Sequence, residues 1–145
     1  MDSLNVEVRN AGPKDLVLNL GIMLANGARQ YPSAITLSVT DNMGKVHQGR
    51  LAEPGIIGGR VDPFIVPLPH GASLMLPVEL TKYLLDTSGR SEKFRPDATT
   101  LYTVQAQFTG QGVSYSEANL DVKGLAVMPY WTGTAVSNTV ASAKM

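Results

Sequence analysis

Residues 67–108 run PLPHGASLMLPVELTKYLLDTSGRSEKFRPDATTLYTVQAQF, and both ends of that stretch carry apolar residues at every second position. Leu74, Leu76, Val78 and Leu80 alternate at one end; Tyr102, Val104, Ala106 and Phe108 alternate with Thr103, Gln105 and Gln107 at the other. Successive side chains of an extended strand point to opposite faces, so a period of two gives one apolar face for a core. A helix would instead repeat at three and four. Between the two strands, residues 81–86 predict at most one helical turn, with Tyr83 and Leu84 or Leu85 plugging the core. Residues 87–96 are polar and predict a loop.

The same period recurs along the chain. Leu4, Val6 and Val8 predict a first strand, ended by the turn residues Asn10, Gly12 and Pro13. Leu16, Leu18, Leu20, Ile22 and Leu24 predict a long strand with one wholly apolar face, followed by a turn at Asn26-Gly27. Ile35, Leu37 and Val39 predict a third strand. The turn Asp41-Asn42-Met43-Gly44 then leads into a short partner over 45–48. Residues 49–60 are Gly-rich and predict an exposed loop. Phe64, Val66 and Leu68 form a strand pattern that Pro63, Pro67 and Pro69 assign to an edge, and Pro77 should face solvent or a bulge. A short strand is expected around Leu120 and Val122, and a last one over 134–141 with Val136 and Val140 inward. Short strands separated by turns at this spacing predict a β-sandwich.

The chain has 145 residues, suited to one domain over 1–145. A chain of this size buries roughly two-thirds of its unfolded surface, so a core can hold it without staples. Twelve basic residues balance twelve acidic ones and lie scattered, which argues against a nucleic-acid partner. No apolar run reaches the roughly 18–20 residues of a membrane-spanning helix, so no membrane insertion is expected. There is no cysteine, which excludes disulfides and thiolate chemistry. The first ten residues do not read as a signal peptide. An extracellular or periplasmic setting is expected if such a segment was removed, and a cytoplasmic one otherwise.

Three segments resemble the immunoglobulin-like domains of secreted microbial proteins. Leu68-Pro69-His70-Gly71-Ala72-Ser73, with the alternation into Val78-Glu79-Leu80-Thr81-Lys82-Tyr83, is similar to a recurring phrase of leucine, glycine turn, strand and acidic-Leu-Ser/Thr-x-x-Tyr. Tyr102-Thr103-Val104-Gln105-Ala106-Gln107-Phe108 resembles the next strand, its tyrosine similar to a tyrosine corner, where a hydroxyl bonds upstream backbone. Trp131-Thr132-Gly133 with Ser137-Asn138-Thr139-Val140 resembles the closing strand. The resemblance implies an all-β, immunoglobulin-like β-sandwich of about seven to nine antiparallel strands. It extends to the immunoglobulin-like segment preceding deuterolysin-type metalloprotease domains. The chain departs from those proteases in having no HExxH, so protease activity is not implied.

Catalytic chemistry has little to stand on. His47 and His70 are expected to be ordinary surface residues, and no spacing brings them together as a metal or acid–base pair. Gly-x-Ser-x-Gly is absent, and Asp41, Glu53, Asp62 and Glu79 fall on different predicted elements. No catalytic, cofactor-binding or metal residue is therefore assigned. Two segments are candidates for partner contact. The loop Glu53-Pro54-Gly55-Ile56-Ile57-Gly58-Gly59-Arg60 sets Ile56 and Ile57 between glycines, beside Arg60. Tyr130 and Trp131 pair two residue types favoured at interfaces.

The expected function is a non-catalytic module for protein–protein contact, spacing or assembly, with a protein partner or self-association. One alternative is a loop-mediated protease inhibitor that presents 55–60 beside a neighbouring loop at 26–31 or 109–113. The other is a carbohydrate-binding module using Tyr115, Tyr130 and Trp131.

Overall fold

The computed structural model describes residues 3–55, 58–87, 89–96, 101–112 and 128–141. The expected strand around Leu120 and Val122 lies outside them, as do Ile56, Ile57 and Tyr115. Eleven strands stand among the described residues: β1 (Ser3–Arg9), β2 (Leu16–Leu24), β3 (Arg29–Tyr31), β4 (Ile35–Thr40), β5 (Val46–Leu51), β6 (Asp62–Leu68), β7 (Ser73–Glu79), β8 (Tyr83–Thr87), β9 (Arg90–Lys93), β10 (Thr103–Gly110) and β11 (Gly133–Ala141). A single 3-10 turn, Leu80–Lys82, precedes β8. No described helix is long and apolar enough to cross a membrane.

The strands form an all-β sandwich. One layer is a six-stranded sheet in the order β11-β10-β4-β5-β8-β9; opposite lie a three-stranded sheet, β3-β2-β6, and the pair β1-β7. All the strand ladders are antiparallel. The core joins Leu18, Leu20, Phe64, Leu76 and Val78 to Ile35, Leu37, Val39, Val104 and Phe108 of the six-stranded sheet. These are the alternating positions of the sequence, as a period of two requires.

Three strands, β3, β8 and β9, stand where none was expected, and nothing in the composition of β3 and β9 marks them. β3 (Arg-Gln-Tyr) and β9 (Arg-Ser-Glu-Lys) are short and polar, and exist only by pairing with β2 and β8. Tyr83 and Leu85 are buried as expected, but the turn covers only Leu80–Lys82. Instead of continuing the expected helical turn to 86, the chain from Tyr83 becomes β8, because it pairs with β5.

Two bulges change which residues face inward. β2 slips register against β6 between Asn19 and Gly21. Leu18 and Leu20 face the core, but beyond the slip Met23 packs on it, while Ile22 lines a small pocket with Asn19. The expected apolar face from Leu16 to Leu24 is therefore interrupted at Ile22, while Leu24 is buried as expected. β11 slips against β10 between Gln105 and Gln107. One extra residue reverses side-chain direction. Val140 lies opposite inward Val104, whereas Val136 lies opposite Gln107 and is 62% exposed, against the expectation that both face in.

A buried asparagine folds the second layer. β1 passes into β2, and β6 into β7, at one corner. The Asn10 side chain sits inside it, donating to Lys14 O at 2.7 Å and Leu68 O at 2.9 Å while accepting from Gly12 N at 3.0 Å. Its backbone N donates to Ala72 O, and its carbonyl accepts from Gly71 N.

The Tyr83 hydroxyl donates to Ile35 O at 2.8 Å from a side chain only 1% exposed. Burial pushes its phenol well above the ordinary value. Tyr102, the expected corner tyrosine, is half-buried with its ring edge-on to Phe94 at 5.5 Å. Tyr83→Phe should destabilise by about 1–2 kcal/mol, since it strands a carbonyl without changing shape. An unfolding midpoint equal to that of the parent would refute the bond.

Candidate functional site

The turn after β2 holds Ala25, Asn26 and Gly27 at φ of 52°, 57° and 85°. Asparagine and glycine tolerate this left-handed region best. The turn presents Asn26 to the end of the Gly-rich loop. Arg60 N donates to Asn26 Oδ1 at 2.7 Å, and Asn26 N donates to Arg60 O at 3.0 Å. The two segments are thus clasped together through Asn26 and the Arg60 backbone. The Arg60 guanidinium reaches Asp62 at 3.0 Å and stays exposed. Of the two loops suggested as neighbours of 55–60, the structure joins 26–31. Thr109 N instead donates to Ala34 O, and Gly112 O takes the Asn19 amide.

Beside the clasp lies a cleft of about 690 Å³. Tyr31 and Pro32 line it from one side, Leu76 and Glu79 of β7 from another, and Glu53 and Pro54 from the loop. The Tyr31 hydroxyl donates to the carbonyls of Leu51 and Ala52, which ties β3 to the loop. Burial and then the Glu53 charge hold the Tyr31 phenol above its ordinary value, against a smaller opposing effect of Arg50. Glu79 pairs with Lys82 at 3.3 Å on the rim. Tyr31 falls in the suggested loop, but nothing in the sequence distinguishes it as the strut.

Tyr130 and Trp131 are not part of this site. Trp131 N donates to Val17 O, and Val17 N donates to Pro129 O, at the start of β2. The clasp lies at its other end. Trp131 is half-buried and stacked on Phe108, with ring centroids 5.4 Å apart. The ring also packs close against the chain at Gly110, where an added Cβ would stand 2.4 Å from Trp131 Cε3 and from its carbonyl oxygen. Trp131 is therefore anchored by packing. It also walls an apolar pocket of about 490 Å³ with Leu16 and Leu18.

His47 corrects a sequence expectation. It is 8% exposed, not a surface residue, because β5 turns it inward between the turn at 41–44 and β8. Nε2 stands 3.0 Å from Asp41 Oδ2 and Nδ1 3.4 Å from Thr87 Oγ1. Asp41 Oδ1 also accepts from Met43 N and Lys45 N at 2.9 Å each. These bonds brace the hairpin. His70 remains exposed; its N donates to Asp15 Oδ1 at 2.9 Å and its ring to Gly12 O. The two histidines serve different corners. Among the described residues, no three His, Cys, Asp or Glu side chains converge as a metal site.

The His47 hydrogen bond, followed by the Lys45 amide, holds the Asp41 carboxyl below its ordinary value. A carboxyl depressed in the folded state stabilises above its unfolded value, and that contribution is lost as pH falls toward the folded one. The stability advantage over Asp41→Asn should therefore persist down to about pH 4 and shrink below it. A gap in urea midpoint that stays constant from about pH 6 to about pH 2.5 would contradict this.

No protein-family model, curated protein or solved structure matches the chain.

Proposed function

We propose that the chain is a non-catalytic contact module. It engages a protein partner through the clasped turns at 25–28 and 58–60 and the cleft beside them. The Asn26–Arg60 clasp carries this reading, because it fixes two separate loops side by side. Loops ordered before binding lose less conformational freedom on contact, so more of the contact energy appears as affinity. The rim mixes Arg29 and Lys93 with Glu53, a polar border around a partly apolar cleft.

Affinity capture from source cells tests the reading. A partner retained by the parent and by Val46→Lys, a control on β5, should be lost with Asn26→Ala and with Arg29→Glu. Retention by all four forms would overturn it, as would enzymatic turnover that depends on Asn26 or Tyr31.

The same clasp favours protease inhibition as a second reading, since that mode needs two adjacent loops. It predicts that micromolar protein slows a cysteine, serine or metallo-peptidase, and that Asn26→Ala removes the effect. Carbohydrate binding receives less support, because one face of Trp131 is occupied by Phe108.

A further inference from the structure

The apolar pocket at the start of β2 has a lining that selects its occupant. It measures about 490 Å³, within the range of small-molecule sites. The buried Leu18, Leu68 and Phe108 and the half-buried Val8, Leu16 and Trp131 supply its apolar lining. Among the described residues, the only charged side chains that line it are Arg9 and Lys14. Both are cations, and both are exposed, which puts them at the mouth. Neither forms an ion pair with a described carboxylate. Asp15, next to Lys14 in the chain, accepts from His70 N at 2.9 Å and is not among the lining residues.

The polar groups of the turn at 10–14 are already spent on one another and on their neighbours. The Asn10 amide donates to Lys14 O and Leu68 O, Gly12 N donates to Asn10 Oδ1, and Gly12 O accepts from the His70 ring. A sugar or a nucleobase entering here would give up hydrogen bonds to water without replacing them, which is costly. An alkyl chain gives up none and gains by leaving water. The same bonds hold the turn that carries the cations, so a head group meets them with little further ordering of backbone.

We propose that this pocket binds a single-chain alkyl carboxylate, a fatty acid of medium length. The chain lies against Leu18, Leu68 and Phe108. The carboxylate stays at the mouth, where Arg9 and Lys14 supply charge-assisted hydrogen bonds. An alkylammonium of the same length would meet like charge there. The clasp lies at the other end of β2, so this site does not depend on the proposed partner surface.

Decanoate added to the full chain tests the proposal. Equilibrium dialysis reads retention, and the emission of Trp131, the single tryptophan, reads location. Decanoate should be retained and should shift that emission. From hexanoate through octanoate to decanoate, affinity should rise about fourfold per methylene. Arg9→Glu and Lys14→Glu should each weaken decanoate binding about fivefold or more and leave decanol binding unchanged. Both positions are exposed, and circular dichroism of the variants should match the parent. Asn26→Ala should bind decanoate as the parent does, which separates this site from the partner surface. No retention at about 1 mM decanoate overturns the proposal, as does retention that leaves Trp131 emission unchanged. So does equal affinity for decanoate and decylammonium, or folded Arg9→Glu and Lys14→Glu variants that both bind decanoate like the parent.

Discussion

Gly21→Ala is expected to lower the unfolding free energy by roughly 3–5 kcal/mol, a large loss for the addition of one methyl group. Two costs coincide at this position. The backbone has φ of +139°, a region that side-chain-bearing residues rarely adopt. An added Cβ would also stand 2.3 Å from Tyr31 O and 2.7 Å from Ser33 N. Both are backbone atoms, so no side-chain rotation relieves the clash; β3 itself must move. Gly27→Ala separates the two costs. Gly27 has φ of +85° but nothing within 4 Å of the added carbon, so its loss should be only about 1 kcal/mol. Equal urea midpoints for the two variants would show that the close approach of β3 to the β2 bulge is absent.

Asn10→Ala should cost about 3 kcal/mol. It removes the donor to Lys14 O and Leu68 O and the acceptor for Gly12 N, at a residue only 4% exposed. A buried group left without a partner loses its water without compensation. Asn10→Asp keeps the acceptor but turns an anionic oxygen toward two carbonyls, so it should not restore stability near neutral pH. Wild-type stability for Asn10→Asp would show that the amide donor does not hold the corner.

Legibility differed between fold and candidate site. The all-β sandwich followed from Leu16, Leu18 and Leu20 and from Val104, Ala106 and Phe108, whose alternation needs no partner to be read. The edge placement of β6 followed from Pro63 and Pro67, which cannot donate to a ladder. The site was half legible. The turn at Asn26-Gly27 and the Gly-rich loop could be read separately, but their clasp joins residues 34 positions apart. His47 looked like a surface residue because its burial depends on β8 and on the 41–44 turn closing over it. The stacking of Trp131 on Phe108 could not be read, because nothing local shows that Gly110 leaves room for its ring.

By itself, the sequence determined that this chain forms strands, where most of them turn, and which side of each begins apolar. Side-chain direction along an extended chain is a local property, so period and turn residues suffice. Only the tertiary structure decided where alternation breaks at the two bulges, that Asn10 holds a corner, and that Asn26 meets Arg60. Each of these depends on which strand lies next to which, and pairing between distant segments has no signature within either segment alone.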